Sequence, residues 1–248
     1  MVYNIKYNIK QLIKKKKIIA IVPARGGSKG IRNKNLKKIN NKSLIQITSE
    51  FIDKSKIFDK KIISSDSDRI LNHAKKLNFE LVRRPKNLSG DRISDFQVIQ
   101  DCLEQIRKDK LPDFVVYLQP TAPIRKISHL IKTIKLVIKK NFNGSWSVNK
   151  IDKKFHPLKI LKIKDNCLNL YFKGGKRIIA RQMLDPVFIR NGIFYIFNVK
   201  SILRKKTIYL DKIYPSITSY KSINIDTIED LNKAKKLLKM NKNSVKFK

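Results

Sequence analysis

Short strand-like runs alternating with helical stretches constrain this chain more than any other feature of its sequence. Residues 18–23 (Ile-Ile-Ala-Ile-Val-Pro) and 114–118 (Phe-Val-Val-Tyr-Leu) are apolar throughout, and 61–65 and 80–82 are shorter strand-like pieces between them. A strand that is apolar at every position has to be covered on both faces, as the inner strands of a parallel sheet are. Residues 44–54, a stretch from Ser67 or Asp68 to about Leu77, a stretch opened by Ser94, and 127–140 read as the intervening helices. Ser67 or Asp68 can cap the second of these, and Ser94 with Gln97 has capping-box spacing for the third. This order predicts an α/β fold of three layers, a parallel sheet with helices on both sides. Binding sites in such sheets lie beyond the carboxyl ends of the strands. The loops after residues 23, 65, 82 and 118 are therefore the candidates.

The pattern changes after about residue 143. Residues 157–172 are short strand-like pieces broken by Asp165-Asn166 and by Gly174-Gly175, which reads as a β-rich insertion at about 150–190. The chain returns to an apolar strand at Ile193–Phe197 and finishes in a helix at about 228–239. The expectation is one α/β domain over 18–240 with an inserted arm, flanked by a Lys-rich extension (1–17) and a basic tail (241–248). The extension repeats Tyr-Asn-Ile-Lys at 3–6 and 7–10, an alternation that suits either a surface strand or a frayed end.

A length of 248 residues with 42% hydrophobic content supports a full core and excludes a disordered chain. The net charge is +38, from 57 Lys+Arg against 19 Asp+Glu. Such a charge attracts nucleic acid or anionic membrane. It also follows from a composition rich in Lys everywhere: the first 17 residues carry six Lys and no acid, and 232–248 carry seven Lys and no acid. No RNA-binding signature, zinc pattern or base-reading basic helix accompanies it, so no specific nucleic-acid partner is expected. The same field favours a small polyanionic substrate. Cys102 and Cys167 form no metal or redox spacing, which fits a reducing cytoplasm. No apolar run approaches the roughly 18 residues of a membrane span, and Lys6 and Lys10 interrupt any signal-peptide core.

The loop after the first strand reads Pro-Ala-Arg-Gly-Gly-Ser-Lys-Gly (23–30), followed by Arg32, Lys34 and Asn35. Glycines at 26, 27 and 30 let backbone N–H groups approach an anion. Arg25, Ser28, Lys29 and Lys34 add donors and charge suited to phosphate oxygens. The spacing is neither the Walker loop nor the G-x-G-x-x-G fingerprint.

Five segments, in order, resemble the acylneuraminate cytidylyltransferases, which include CMP-sialic acid synthetases and bacterial legionaminic acid counterparts. They are Ala24 to Gly30 with Lys34-Asn35; Leu118-Gln119-Pro120-Thr121-Ala122-Pro123-Ile124-Arg125; His156-Pro157-Leu158-Lys159; Arg181-Gln182 leading to Arg190-Asn191-Gly192-Ile193-Phe194-Tyr195; and Ile223-Asn224-Ile225-Asp226-Thr227. The resemblance spans about 18–239 and implies a Rossmann-like nucleotidyltransferase fold, with the arm serving homodimerisation. It implies that Arg25, Ser28 and Lys34 hold the triphosphate of CTP, and that Asn35, Arg84 and the segment around Ser94 surround cytosine and ribose; Lys29 joins the nucleotide-binding residues on the charge of the loop. Gln119, Lys159, Arg181 and Tyr195 would face an acidic nine-carbon sugar, Lys159 or Arg181 across the dimer. Ser94 has a rival role as a helix cap, and His156 is expected to be structural.

The family usually carries Asp-x-Asp in the fifth segment, both carboxylates holding Mg²⁺. Here Asn224 takes the first place and Asp226 the second, so Mg²⁺, or Mn²⁺ in its stead, is expected to bind more weakly. The implied reaction is attack of the sugar's anomeric hydroxyl on the α-phosphorus of CTP, with Arg25, Lys34 and Asp226 as the catalytic set. Enzymes for the eight-carbon acid Kdo share the architecture but lack the Gly-Gly-Ser-Lys-Gly run. Pseudaminic acid enzymes are closer, but usually depart from the pattern at 181–192.

Overall fold

The computed structural model describes residues 13–27, 30–106 and 110–243, with the side chains of 240–243 excepted. The Tyr-Asn-Ile-Lys repeat, most of the Lys-rich extension, Ser28, Lys29 and the last residues of the tail lie outside the described residues.

A seven-stranded sheet organises the chain. In chain order its strands are β1 (Ile18–Pro23), β4 (Lys60–Ser65), β5 (Glu80–Arg83), β6 (Phe114–Tyr117), β7 (Gly144–Lys150), β10 (Phe188–Asn198) and β11 (Ile213–Ile217). Two short pairs stand apart from it: β2 (Lys38–Ile39) with β3 (Lys42–Ser43), and β8 (Leu161–Lys164) with β9 (Cys167–Leu170). The spatial order is β11-β7-β10-β6-β1-β4-β5. Pairing is parallel except at β10, which runs antiparallel to both β6 and β7. The sequence order had pointed to a mostly parallel sheet, and β10 is the strand that departs from it. β10 escapes that rule because it returns from the arm rather than from a crossover helix, and a returning strand meets its neighbours head to tail.

Alternation along the central strand builds two cores. Ile18, Ala20 and Val22 face one side, against α1 (Leu44–Ser55), α2 (Asp68–Lys75) and α4 (Ile127–Lys139). Ile19 and Ile21 face the other, against α3 (Asp95–Gln105) and α5 (Val199–Lys205). Each of these isoleucines is fully buried, which stabilises the fold by about 1.5–3 kcal/mol per side chain. A third, smaller core (Ile31, Ile39, Leu44, Ile225, Leu231, Ala234) seats α6 (Ile228–Asn243) on the β2–β3 hairpin. That contact brings the C-terminal segment over the carboxyl end of β1.

The arm at about 150–190 is a different kind of structure. β8 and β9 form a two-residue hairpin whose turn residues, Asp165 and Asn166, both have positive φ (50° and 58°). Asp and Asn tolerate that region, and the resulting turn matches strand twist. Ile163, Leu168 and Ile179 in this arm are 75%, 72% and 93% exposed.

Candidate active site

The carboxyl ends of β1 and β6 open into a cavity of about 480 Å³. Pro23, Arg25, Gly30, Lys34 and Asn35 line it from the first loop, Arg84 and Asp95 from beyond β5, Tyr117, Gln119, Pro120 and Thr121 from β6 onward, and Asn224 and Asp226 from the C-terminal segment. A larger and more open cleft of about 720 Å³, lined among others by Lys150, Tyr220, Lys221 and Lys236, lies beside β7 and α6. It has neither the glycine loop nor a carboxylate in its lining, which makes the smaller cavity the candidate for chemistry.

The first loop is pinned by its own backbone. Ala24 N–H donates to the Ser64 carbonyl (2.9 Å), and Gly26 N–H donates to Asp66 Oδ1 (2.8 Å). A Cβ at Gly26 would stand 2.8 Å from the Ser67 Cβ, so glycine permits this approach. Asn35 is buried and donates its amide to the Arg25 carbonyl (3.1 Å), which holds the loop across the cavity floor. Arg25 itself pairs with Asp91 (2.7 Å). Arg84 is buried, with Nε on Ser64 Oγ and a terminal nitrogen on the Ser64 carbonyl, both at 2.9 Å.

Asp226 is the exposed carboxylate of the site, at 66% side-chain exposure, and Lys34 Nζ sits on its Oδ1 at 2.8 Å. Asn224 Nδ2 lies 3.5 Å from the other oxygen. The segment is held from both ends. Ile225 N–H donates to the Thr121 carbonyl (2.8 Å), and Asp230 Oδ2 accepts from the backbone of Asp226 (3.2 Å) and Thr227 (3.0 Å). Gly30 lies so close that a Cβ there would stand 2.4 Å from the Asp226 carbonyl oxygen. No group of three or more His, Cys, Asp or Glu placed to hold a metal ion occurs among the described residues. A divalent hard cation takes one or two carboxylates and completes its shell with water and phosphate. Asp226 with Asn224, whose amide can present its oxygen after a flip, fits that open mode and no closed cage.

Asp95 and Tyr117 line the cavity although the sequence reading passed over them. Asp95 reads as an ordinary first-turn residue of α3, and Tyr117 as core of a buried strand. The available signal was a hydroxyl inside the otherwise aliphatic run Phe-Val-Val-Tyr-Leu. Burial raises the Asp95 carboxyl above the usual range despite a hydrogen bond from Tyr117 and the nearby Arg190 and Arg84 charges. Burial likewise raises the Tyr117 phenol well above its ordinary value, and the Asp95 charge adds to it.

The remaining expected residues fall elsewhere. Ser94 caps α3 with a full capping box, its Oγ accepting from Gln97 N–H (3.3 Å) and its own N–H donating to Gln97 Oε1 (2.9 Å). Tyr195 is buried beside the cavity, its hydroxyl accepting from Gly192 N–H (3.1 Å). Gly192 has φ +72°, and a Cβ there would meet Gln119 Oε1 at 2.5 Å, so glycine makes room for Gln119. Asn191, next to it, spends its amide on Ser147, Asn149, Thr218 and the Ile193 N–H. Lys159 and Arg181 sit in the arm, exposed and away from this cavity, with Arg181 paired to Asp152 (3.0 Å). His156 is buried, Nδ1 accepting from Leu158 N–H (3.2 Å) and Nε2 without a hydrogen-bond partner among the described residues.

A helix-covered, mostly parallel sheet with its cavity beyond β1 and β6 is the architecture of nucleotidyltransferases. CMP:2-keto-3-deoxy-manno-octonic acid synthetase complexed with CTP superposes with a TM-score of 0.66 at 13% identity, covering 91% of this chain and 99% of that one. The 4-diphosphocytidyl-2C-methyl-D-erythritol synthase of Anaerococcus prevotii gives 0.62 at 16%, over 92% and 99%. The chain belongs to the cytidylyltransferase family, whose model matches residues 19–246. An N-acylneuraminate cytidylyltransferase of Streptococcus agalactiae is 28% identical over 217 residues, 86% of this chain and 51% of that protein. The chain thus spans about half the length of that relative. The pseudaminic acid cytidylyltransferase of Campylobacter jejuni (29%) and the CMP-N,N'-diacetyllegionaminic acid synthase of Legionella pneumophila (27%) each match over 92% of this chain and 99% of their own length.

Proposed function

We propose that the chain transfers CMP from CTP to an acidic nine-carbon keto sugar of the sialic or legionaminic type, releasing pyrophosphate, to supply cell-surface glycan synthesis in the cytoplasm. The observation that carries this is the meeting of Arg25, Lys34 and Asp226 in one cavity, drawn from segments almost two hundred residues apart. A cation cluster faced by one exposed carboxylate suits a triphosphate and its metal better than any neutral ligand.

In this mechanism Arg25 and Lys34 take the β- and γ-phosphates and neutralise the charge that grows on the leaving pyrophosphate. Asn35 and Arg84 set the depth of the nucleoside end. Gln119 orients the sugar so that its anomeric oxygen lies in line with the α-phosphorus. Asp226 and Asn224 would hold Mg²⁺ or Mn²⁺, which supplies charge neutralisation and a lower pKa for the attacking hydroxyl. Lys159 and Arg181 reach the sugar's carboxylate from a second subunit, the apolar arm forming the homodimer contact. The exposed Ile163, Leu168 and Ile179 are the observation behind that assembly.

The full-length match to the Campylobacter jejuni enzyme keeps pseudaminic acid as the second reading. The deciding experiment is pyrophosphate release with CTP and Mg²⁺ against N-acetylneuraminic, legionaminic and pseudaminic acids and Kdo, the product confirmed by mass spectrometry. One CMP-sugar, lost in Asp226→Ala and Arg25→Ala, establishes class and substrate. No product with any acid, together with no CTP binding, overturns the proposal.

A further inference from the structure

Arg125 closes the Pro-rich loop after β6; the residue is half-buried, and its guanidinium is turned into the fold onto three acceptors. Among the described residues no carboxylate pairs with it. Its Nε donates to the Ile193 carbonyl (2.7 Å), one terminal nitrogen donates to the Gln119 carbonyl, and the other reaches Thr48 Oγ1 (3.3 Å). The Phe51 ring covers it at 5.7 Å. Burial without a counter-ion pulls its pKa down from the usual arginine value to about 9. Its donors are spent on two backbone carbonyls and a hydroxyl that an apolar side chain could not satisfy.

What it joins is specific. Gln119 is the cavity residue whose side chain passes over Gly192, and Ile193 is the next residue after that glycine. Thr121, in the same loop, accepts the N–H of Ile225 and so anchors the Asn224–Asp226 segment. Two prolines, Pro120 and Pro123, remove backbone donors from this loop, and the guanidinium fork supplies donors in their place. Three acceptors on three different elements need a rigid planar donor set, which a lysine does not have.

We propose that Arg125 is a positioning residue for the transfer site, clamping the Gln119 loop to the irregularity of β10 at Gly192–Ile193 so that the sugar end of the cavity keeps its register with Asp226. This rests on the cytidylyltransferase reading above. The test compares Arg125→Gln and Arg125→Lys with the parent full-length protein, by steady-state kinetics for CTP and for the accepted sugar acid, and by thermal melting. Arg125→Gln raises the sugar KM or lowers kcat by about tenfold or more while the CTP KM stays within about twofold, the loss of an oriented contact being worth that much. Arg125→Lys recovers part of the loss. Equal changes in both KM values, or no change in kcat or in either KM, would overturn the clamp. Trp146, the single tryptophan, lies opposite Tyr195 in the β7–β10 pair, at the edge of the same irregularity, and reports it without turnover. If the parent makes no CMP-sugar, the catalytic reading falls, and the Trp146 emission decides the clamp alone: a changed acrylamide quenching in folded Arg125→Gln supports it, and an unchanged one sinks it.

Discussion

Asp95 lines the cavity with a carboxyl whose burial opposes its ionisation. Its folded pKa lies above the unfolded one. The stability it contributes is therefore greatest below the ordinary carboxylate range and is lost as pH rises through the raised value. Asp95→Asn should melt higher than the parent at neutral pH and show a flatter melting curve against pH just above the usual Asp range, while turnover falls. Scanning fluorimetry across mildly acidic to neutral buffers checks the first two, and the pyrophosphate assay the third. Ser94, its neighbour, should behave in the opposite manner. As a cap its loss costs about 1 kcal/mol, so Ser94→Ala lowers the melting point and leaves the CTP KM within about twofold. A KM rise without destabilisation would instead make Ser94 a nucleotide contact. Gly30→Ala tests the closest approach in the site. The added methyl meets the Asp226 carbonyl, so activity should drop by about a hundredfold or more, as expected when about an ångström of misplacement enters the transition-state geometry.

At the scale of elements, strands buried on both faces announce themselves and the rest do not. β1 and β6 could be read directly because their residues are apolar without break. β7 (Gly-Ser-Trp-Ser-Val-Asn-Lys) could not, because its buried face is serine. Ser145 donates to the Tyr214 carbonyl, and Ser147 donates to Asn191 while accepting from Phe194 N–H. Polar satisfaction through partners 40 or more residues away has no local pattern to detect. β11 carries Pro215, which an edge strand tolerates and an inner one does not, and β2 and β3 are two residues each. Most of the cavity was legible because it is built from loops with fixed chemistry at strand ends: Arg25, Lys34, Asn35, Gln119 and Asp226 all line it. Asp95 was missed because its role depends on Tyr117, a partner on another element. The same applies to the length of β10, whose exposed first residues pair with β7 only through the arm's return.

At the scale of the molecule, the arm is an apolar surface on a chain with net charge +38, and burying it against a second copy would also bring two strongly cationic bodies together. Ile163→Asp with Leu168→Asp should shift the light-scattering mass from dimer to monomer, and activity should fall with it if Lys159 and Arg181 act across the interface. A monomeric parent, or a monomeric variant with full activity, would remove the arm from the site. Salt separates the enzyme from a mere polyanion binder. A protein held to nucleic acid by its lysines loses affinity steeply as salt rises. Two of the cations in the site described here are already paired, Arg25 with Asp91 and Lys34 with Asp226. A triphosphate arriving there exchanges partners instead of stripping a cloud of mobile ions. The gain in counter-ion entropy is correspondingly small, so the logarithm of CTP affinity should run against the logarithm of salt with a slope shallower than the number of cations it touches.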